Sequence, residues 1–369
     1  MKVNFARLIG ALSSFVVALS GCPITKPPPA NDATKRALLE AAGACSLDAV
    51  QAFRTEARAL ASSPTKDQWK RAMTAWQRVE LLQFGPTGSS SFPAGQDFRD
   101  QLYSWPLVSR CAVDDVLVTK GWEAGVSGLL VNRRGLAALE YLLFYEGDDV
   151  SCSQAGWAAL DAAEKAARKQ AYAAALATDV AARADALVVA WEGGYLETLK
   201  TAGPGNATYP SVQLALNRVS DALFAIEDST KELKLATPLG LHGCTPAPCL
   251  DQLESQYAHH NTANVRANLR GFRQLLQGCG DGFVGVGFDD VLEEANAASV
   301  GTRLIDATIA TEAALDAIEE PDLSQALVSD PASVRALFDA LKTVTDLLKS
   351  EFVIAVDVAL PAGLEGDND

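Results

Sequence analysis

The chain has 369 residues, of which 49% are hydrophobic and 21% are charged, so it can bury a substantial core and is not an intrinsically disordered protein. Its formal net charge of -15 excludes a general nucleic-acid-binding protein, because phosphate binding needs clustered Lys and Arg. The low aromatic content of 7% favours helices over sheets, and the length favours two domains.

The N-terminus has the features of an export signal. Lys2 and Arg7 precede an apolar run that is too short to span a bilayer, so residues 1–21 are predicted to be a secretory signal peptide. The tetrad that ends this signal, Leu-Ser-Gly followed by Cys22, resembles a bacterial lipoprotein signal, in which the cysteine is lipidated and becomes the mature N-terminus. The alternative is an ordinary signal peptide with a cysteine there by chance.

Lipidation of Cys22 would anchor the exported protein in a membrane, since two or more acyl chains suffice for stable attachment. Pro23 follows in place of Asp, which under the usual sorting rule favours the outer membrane, with the protein on its periplasmic side or at the cell surface. Residues 22–31 are rich in proline and are predicted to be an extended linker.

Six cysteines remain after Cys22, an even number that suits disulfide formation in an oxidising compartment. The local pair Cys244–Cys249 is the easiest bridge to form. Among the pairings that then remain, one joins Cys111 to Cys152 and Cys45 to Cys279. A metal–thiolate site is the weaker alternative, because the spacing does not produce two CxxC pairs.

The helices predicted in the first half follow apolar 3.6-residue periodicity and end at Pro or Gly. The first ends at Ser63-Pro64, and the second begins at Thr65 and ends before Gly85-Pro86. A loop over 85–96 and a short apolar helix over 134–145 follow. The proline-free segment 153–200 is predicted to form either one very long helix or a helical hairpin.

The Gly/Pro-rich segment 201–210 is the clearest interior break. It places a boundary between an N-terminal domain, 32–203, and a C-terminal domain, 204–369. Helical periodicity then resumes over 211–235, 249–276, 288–298, 302–318 and 333–356. The predicted fold class is all-α, with two tandem helical-bundle domains.

No common catalytic motif is present: the sequence lacks an HExxH helix, a GxSxG elbow and a Walker A loop. It has only three histidines, His242, His259 and His260. The glycine-rich stretch 282–290 follows no predicted strand, so it is interpreted as a turn that caps the next helix rather than a nucleotide site.

The segment Gly135 to Phe144 resembles the GxHxxE helix of the imelysin family, also called the M75 peptidase family. Four other segments are similar to motifs of that family in the same order along the chain. They are Trp76–Glu80 with the following Phe-Gly-Pro, Tyr103–Pro106, the Glu254-Ser255 pair with Tyr257, and Gly285–Asp290. The resemblance implies a two-bundle helical fold and a role in iron or haem acquisition.

The chain departs from the family motif at its histidine. Gly135 and Glu140 match the motif, but Ala137 stands where the family has His. Positions three apart on a helix share a face, so His and Glu there would bind one cation together, and Ala137 removes half of that pair. Glu140 could still join Glu80 in a carboxylate site. The alternative is that Glu140 is buried between helices, with its carboxylate satisfied by Arg133, Arg134 or a hydroxyl.

Further candidate ligand-binding residues are Glu254 and Ser255, which match a second-domain motif, and His260 if it faces the cleft between the bundles. The possible cofactor is iron or another divalent cation.

Three functions compete. The first is a non-enzymatic lipoprotein that binds iron or haem in the cleft as a component of iron or haem transport. The second is a protein- or peptide-binding module that has lost the metal site. The third is a metallopeptidase, which needs about three metal ligands and an open position for water that the altered motif does not supply.

Overall fold

The computed structural model describes residues 30–152, 156–361 and 364. The predicted signal peptide 1–21, Cys22 and most of the linker 22–31 lie outside these residues. Within them the chain is helical, with no strand, which confirms the all-α fold class. None of the helices in this part is long and apolar enough to cross a membrane.

The helices of the first half have well-defined starts. Asn31 caps the first helix by accepting the backbone N–H of Thr34 at 2.9 Å, and Thr65 caps the second by accepting that of Gln68. The seven α-helices are α1 Asp32–Ser62, α2 Lys66–Glu80, α3 Phe98–Leu102, α4 Arg110–Thr119, α5 Gly135–Phe144, α6 Ala162–Ala190 and α7 Leu196–Lys200.

In the second half, the first helix continues through a 3-10 turn at Asp221–Phe224 into a π-helical segment, Ile226–Ala236. The α-helices here are α8 Val212–Ser220, α9 Asn261–Gln277, α10 Phe288–Glu294, α11 Ala298–Asp316, α12 Leu323–Ser329, α13 Pro331–Leu347 and α14 Val353–Val356. A second π-helical turn, Leu348–Phe352, joins α13 to α14.

Of the two alternatives predicted for 153–200, the structure is nearer to one long helix than to a hairpin: α6 and α7 follow one another from Ala162 to Lys200, with a kink where Gly194 adopts φ 123°. Another predicted element differs from the structure. The predicted helix over 249–276 is wrong in its first half, because Ser255 and His259 have left-handed backbones with φ 51° and 48°. These two residues belong to a segment that we call the 254–260 turn, and α9 begins only after it.

The long helix α1 is the centre of the packing. It lies against α2 and α6 of the first half and also contacts α8, α9 and α10 of the second. Across the two halves α2 packs against α9, where a Cβ added to Gly271 would lie 3.2 Å from the carbonyl oxygen of Arg78. Glycine therefore lets these two backbones approach closely. The boundary between 32–203 and 204–369 remains a prediction.

Three disulfides join the six cysteines as the sequence suggested. Cys244–Cys249 closes a local loop, Cys111–Cys152 links α4 to the segment before α6, and Cys45–Cys279 links α1 to the end of α9. The last bridge spans 234 residues of sequence, so it connects the two halves of the chain covalently.

Candidate functional site

The motif helix α5 begins at a position that only glycine fits. Gly135 has φ 78°, and a Cβ there would lie 2.7 Å from the carbonyl oxygen of Leu102. Ala137 and Glu140 follow on one face of the helix; both are buried, and both line one small cavity. The helix thus presents the motif face to the interior, as the family resemblance implies.

The Glu140 carboxylate is held by backbone groups of the second half. Its Oε1 accepts the N–H of Tyr257 at 2.9 Å and the N–H of Ala258 at 3.0 Å. Both donors belong to the 254–260 turn. The left-handed residues Ser255 and His259 flank them, so the unusual backbone of this turn brings two consecutive N–H groups to one oxygen.

The arginines expected to neutralise Glu140 have other partners. The guanidinium of Arg133 pairs with Asp115 at 2.9 Å, and Arg134 donates to the carbonyl oxygen of Ser127 at 2.7 Å. Glu140 is buried, as the alternative interpretation has it, but neither arginine is its partner. Helix periodicity predicted the burial of Glu140, but it carried no information about the turn that reaches it.

Burial raises the pKa of Glu140, the two backbone N–H donors lower it and the nearby Glu254 carboxylate adds to the rise; together they bring the pKa of Glu140 to about 8. At neutral pH this carboxyl group is therefore largely protonated. A neutral carboxyl group is a poor ligand for a cation, since metal binding requires the deprotonated oxygen.

The cavity beside Glu140 has a volume of about 60 Å³. Its walls include Trp105, Val113, Ala137, Tyr141 and Ser255. A site of this size holds roughly two water molecules. Ala137 lies at its edge, so the cavity occupies the place towards which the family's histidine would project.

A second group of buried side chains surrounds Lys234, on the π-helical segment. Its Nζ lies 2.7 Å from Glu80 Oε2, 3.1 Å from Glu254 Oε1 and 2.7 Å from Asn268 Oδ1, and it also donates to Gln77 Oε1. All five side chains are completely or almost completely buried. One ammonium group therefore joins α2, the π-helical segment, the 254–260 turn and α9.

Glu80 is neutralised from a second side by Arg99, whose guanidinium lies 3.1 Å from Oε1. Burial alone would raise the pKa of Glu80, but the charges of Lys234 and Arg99 outweigh it and hold that pKa below its ordinary value. Glu80 is thus an ionised partner of two cations. No direct contact joins it to Glu140 in the described part of the chain.

Both carboxylate oxygens of Glu254 accept hydrogen bonds from neighbouring side chains. Tyr103 donates its hydroxyl at 2.6 Å and Gln77 its amide at 2.9 Å to Oε1, and Asn264 donates at 2.8 Å to Oε2. The same Asn264 amide contacts the Ser255 hydroxyl at 2.9 Å. We call Gln77, Glu80, Arg99, Tyr103, Lys234, Glu254, Asn264 and Asn268 the Lys234 network.

The adjacent histidines face different surroundings. His260 Nε2 lies 2.8 Å from the Thr74 hydroxyl on α2, and burial lowers the pKa of His260 to about 4, so the ring is neutral. His259 Nδ1 lies 3.0 Å from Ser324 Oγ on α12, and its side chain is 57% exposed. His260 belongs to neither the Lys234 network nor the cavity beside Glu140.

These residues do not fit a divalent cation at the motif. The described residues contain no group of three or more His, Cys, Asp or Glu side chains placed to hold one. Glu80 is paired with two cations, Glu140 accepts two N–H groups, and Ala137 offers no lone pair. The donors available at the cavity are too few for a metal centre.

In this fold the first helix, α1, contacts both halves of the chain, and the motif helix α5 is buried against a turn from the second half. The model of the imelysin family, peptidase family M75, matches residues 37–350. The chain therefore belongs to the imelysin family. No curated protein is significantly similar in sequence.

Two solved structures share the fold. An imelysin-like protein from Psychrobacter arcticum 273-4 has a TM-score of 0.64 at 18% identity, covering 90% of this chain and 99% of the other. A putative iron-regulated protein A precursor from Parabacteroides distasonis ATCC 8503 also has a TM-score of 0.64, at 13% identity, covering 90% and 97%. At such identities the likeness shows the fold alone.

Several residues of the site were not foreseen from the sequence. Lys234 and Arg99 lie outside the recognised motifs. Gln77 lies within the Trp76–Glu80 motif and Asn268 in the segment that accompanies the Glu254-Ser255 pair, but neither was singled out as a site residue. One signal was available: Lys234 falls on the apolar face of a predicted helix, where an unpaired charge would be costly. A buried partner was therefore to be expected, but its identity depended on helix packing.

Replacing Lys234 with methionine is expected to destabilise the protein by about 3–5 kcal/mol, because Glu80 and Glu254 would lose their shared buried cation. Urea denaturation followed by circular dichroism measures the loss. The matched control is Lys342→Met, which breaks only an i,i+4 pair with Asp346 and should cost about 0.5 kcal/mol. Equal effects of the two variants would contradict a structural role for the Lys234 network.

Glu140→Gln is expected to flatten the pH dependence of stability. Between its ordinary pKa of 4.5 and about 8, the folded protein keeps a proton on Glu140 that the unfolded chain has released. The free energy of unfolding of the wild type therefore falls as pH rises through this window, by about 2–4 kcal/mol. Glutamine still accepts both N–H groups but does not ionise.

Denaturation curves recorded from pH 5 to pH 9 test this expectation. The control is Glu146→Gln, since Glu146 lies just after α5 with its side chain 85% exposed. Parallel stability profiles for the wild type and Glu140→Gln would show that Glu140 does not titrate in this range.

Proposed function

We propose that this imelysin-family protein is an exported lipoprotein that binds a ligand as a component of an iron-acquisition system. It holds no metal at the family motif and has no peptidase activity. One observation carries this proposal: the motif face has little free space and its carboxyl group is already bound. Ala137 and Glu140 line a cavity of about 60 Å³, and the carboxyl group accepts backbone N–H groups of the opposite half.

A binding role is supported over hydrolysis by the charges around the site. Peptide hydrolysis on a metal needs about three protein ligands and an open position for an activated water. Glu80 and Glu254 are instead saturated by cations and amides, and a cavity of this size does not admit a peptide. The Glu80 and Glu254 carboxylates instead connect the two halves of the fold.

The role in iron acquisition is supported by the fold relative from Parabacteroides distasonis, which is described as a putative iron-regulated protein A precursor. The word precursor also agrees with the export signal that the sequence of residues 1–21 predicts. For this chain, both the iron-related role and the membrane anchor are parts of our proposal.

Restoring the family motif tests the function. Ala137→His should create a site for a divalent cation, because the imidazole would enter the cavity beside Glu140, three residues away on the same helix face. We expect the wild type to bind no Zn²⁺ or Fe²⁺ stoichiometrically and the variant to bind one equivalent. Calorimetric titration and metal analysis after desalting measure both.

The matched control is the double variant Ala137→His with Glu140→Gln, which keeps the imidazole and removes the carboxylate, and should lose the added cation. A stoichiometric cation in the wild type that disappears in Glu140→Gln would refute our proposal. Cleavage of a peptide library that stops on addition of a chelator would do so as well.

The proposed anchor is tested separately. Cys22→Ser removes the only side chain available for lipidation in the lipoprotein signal. In a Gram-negative host we expect the wild type in the outer-membrane fraction, labelled by an alkyne-tagged fatty acid, and the variant without label. A wild type that carries no label after processing would show that residues 1–21 act as an ordinary signal peptide.

A further inference from the structure

A polar recess of about 520 Å³ lies beside the 254–260 turn. Its walls come from the start of α2 through Lys66 and Lys70, from residues 144–146 at the end of α5, and from residues 256–259 of the turn. Its volume falls in the usual range for small-molecule sites, about 300–1,000 Å³. The proposed function does not use it.

The charges of this recess leave one cation without a partner. Lys66 Nζ lies 3.1 Å from Glu146 Oε1, so these two charges offset each other. Lys70 has no ion pair in the described part of the chain, and its Nζ lies 5.8 Å from the centre of the Phe144 ring, at the wall of the recess. A ligand with one carboxylate would offset the charge of Lys70, whereas a ligand with many negative charges would be repelled by Glu146.

His259 supplies a hydrogen-bond acceptor to the same recess. Ser324 gives its hydroxyl hydrogen to Asp322 Oδ1 at 2.6 Å, so its oxygen is left to accept the N–H of His259 Nδ1 at 3.0 Å. This assigns the proton to Nδ1 and the lone pair to Nε2. Among the described residues Nε2 has no hydrogen-bond partner, and the side chain is 57% exposed.

The wall therefore presents donors and acceptors together. Lys70 is a donor, while His259 Nε2 and the Glu146 carboxylate are acceptors. The amide of Gln256, which also lines the recess, can do both. A simple anion would use only the donors, and a simple cation only the acceptors. Hydroxyl groups donate and accept, so a ligand with several hydroxyls can satisfy both sets at once.

Three aromatic side chains complete the wall: Phe144, Tyr145 and Tyr257, each partly exposed. The rings of Tyr145 and Tyr257 stand edge to face, with their centroids 5.6 Å apart. Aromatic rings bury apolar surface well and, in Tyr, keep a polar group within reach of the same ligand. A sugar ring matches such a wall, because it has C–H groups on its faces and hydroxyls around its edge.

We propose that this recess binds an acidic sugar of the uronic acid class. The sugar carboxylate pairs with Lys70, and sugar hydroxyls donate to His259 Nε2 and to Glu146. A C–H face of the sugar ring packs against Tyr257. This ligand class contains no metal, and both signs of charge in the wall are used.

The position of the recess suits a ligand that arrives from water. Helix α1 has 31 residues and is therefore about 46 Å long. The recess lies at the start of α2, directly after the end of α1, whereas the proposed lipid anchor precedes the start of α1. The inference rests on the proposed function for this placement alone, since the charges and hydrogen-bonding groups of the recess do not depend on the anchor.

Calorimetric titration and saturation-transfer NMR of the full mature protein test the proposal, with D-glucuronate and D-galacturonate as probes. We expect one equivalent of at least one of these uronates to bind. D-Glucose and D-galactose lack the carboxylate, and acetate lacks the hydroxylated ring, so each should bind at least about tenfold more weakly. Tighter binding of trigalacturonate than of the monomer would identify a polysaccharide as the source, and equal binding a free sugar acid.

Two variants test the named contacts. Lys70→Gln should weaken uronate binding by about tenfold, because it removes the charge that pairs with the carboxylate. His259→Gly should also weaken it, since it removes Nε2, while glycine readily adopts the left-handed backbone of this position. The matched control is Lys120→Gln, which removes a lysine that pairs with Glu164 and should leave uronate binding unchanged. Thermal melting shows that each variant is folded.

Three results would overturn the proposal: no binding of either uronate by the wild type, equal affinity for a neutral sugar or acetate, or unchanged uronate affinity in Lys70→Gln. None of them would alter the fatty-acid labelling of Cys22 or the cation measurements on the Ala137 variants. Failure of this inference is therefore distinguishable from failure of the proposed function.

Discussion

The structure depends on one buried ammonium group. Lys234 lies within hydrogen-bonding distance of Glu80 and close to Glu254, and its other contacts are amide oxygens on α2 and α9. Two buried carboxylates would repel each other and lower the stability of the fold, but a shared cation makes them a connection between the two halves. The close approach at Gly271 allows this geometry, because it brings α9 against α2.

This network also changes the interpretation of the acidic residues in the family motifs. Glu80 and Glu254 are already bound by cations and amides, and Glu140 accepts two backbone N–H groups. Each acidic residue therefore contributes to the contact between the halves. With Ala137 on the motif face, the space that remains beside Glu140 is a cavity of about 60 Å³.

The 254–260 turn links Glu140 to the second half of the chain. The backbone N–H groups of Tyr257 and Ala258 donate to Glu140. The Tyr257 side chain lines the cavity beside Glu140, and it also lines a neighbouring recess together with His259. Ser255 and His259 hold the left-handed backbones that shape this turn.

The sequence by itself determined the helical class, the start and end of α1 and α5, the start of α2 and the local Cys244–Cys249 bridge. These follow from local rules: apolar periodicity, capping residues, proline and the closeness of two cysteines in the chain. The other two disulfides were one possibility among several until the fold brought their cysteines together. It also identified Ala137 as the departure from the family motif. The tertiary structure decided which charges meet, because the partners Lys234 and Glu80 are 154 residues apart. It likewise decided that the segment before α9 is a turn, since its backbone is shaped by binding Glu140, a contact that no local pattern contains.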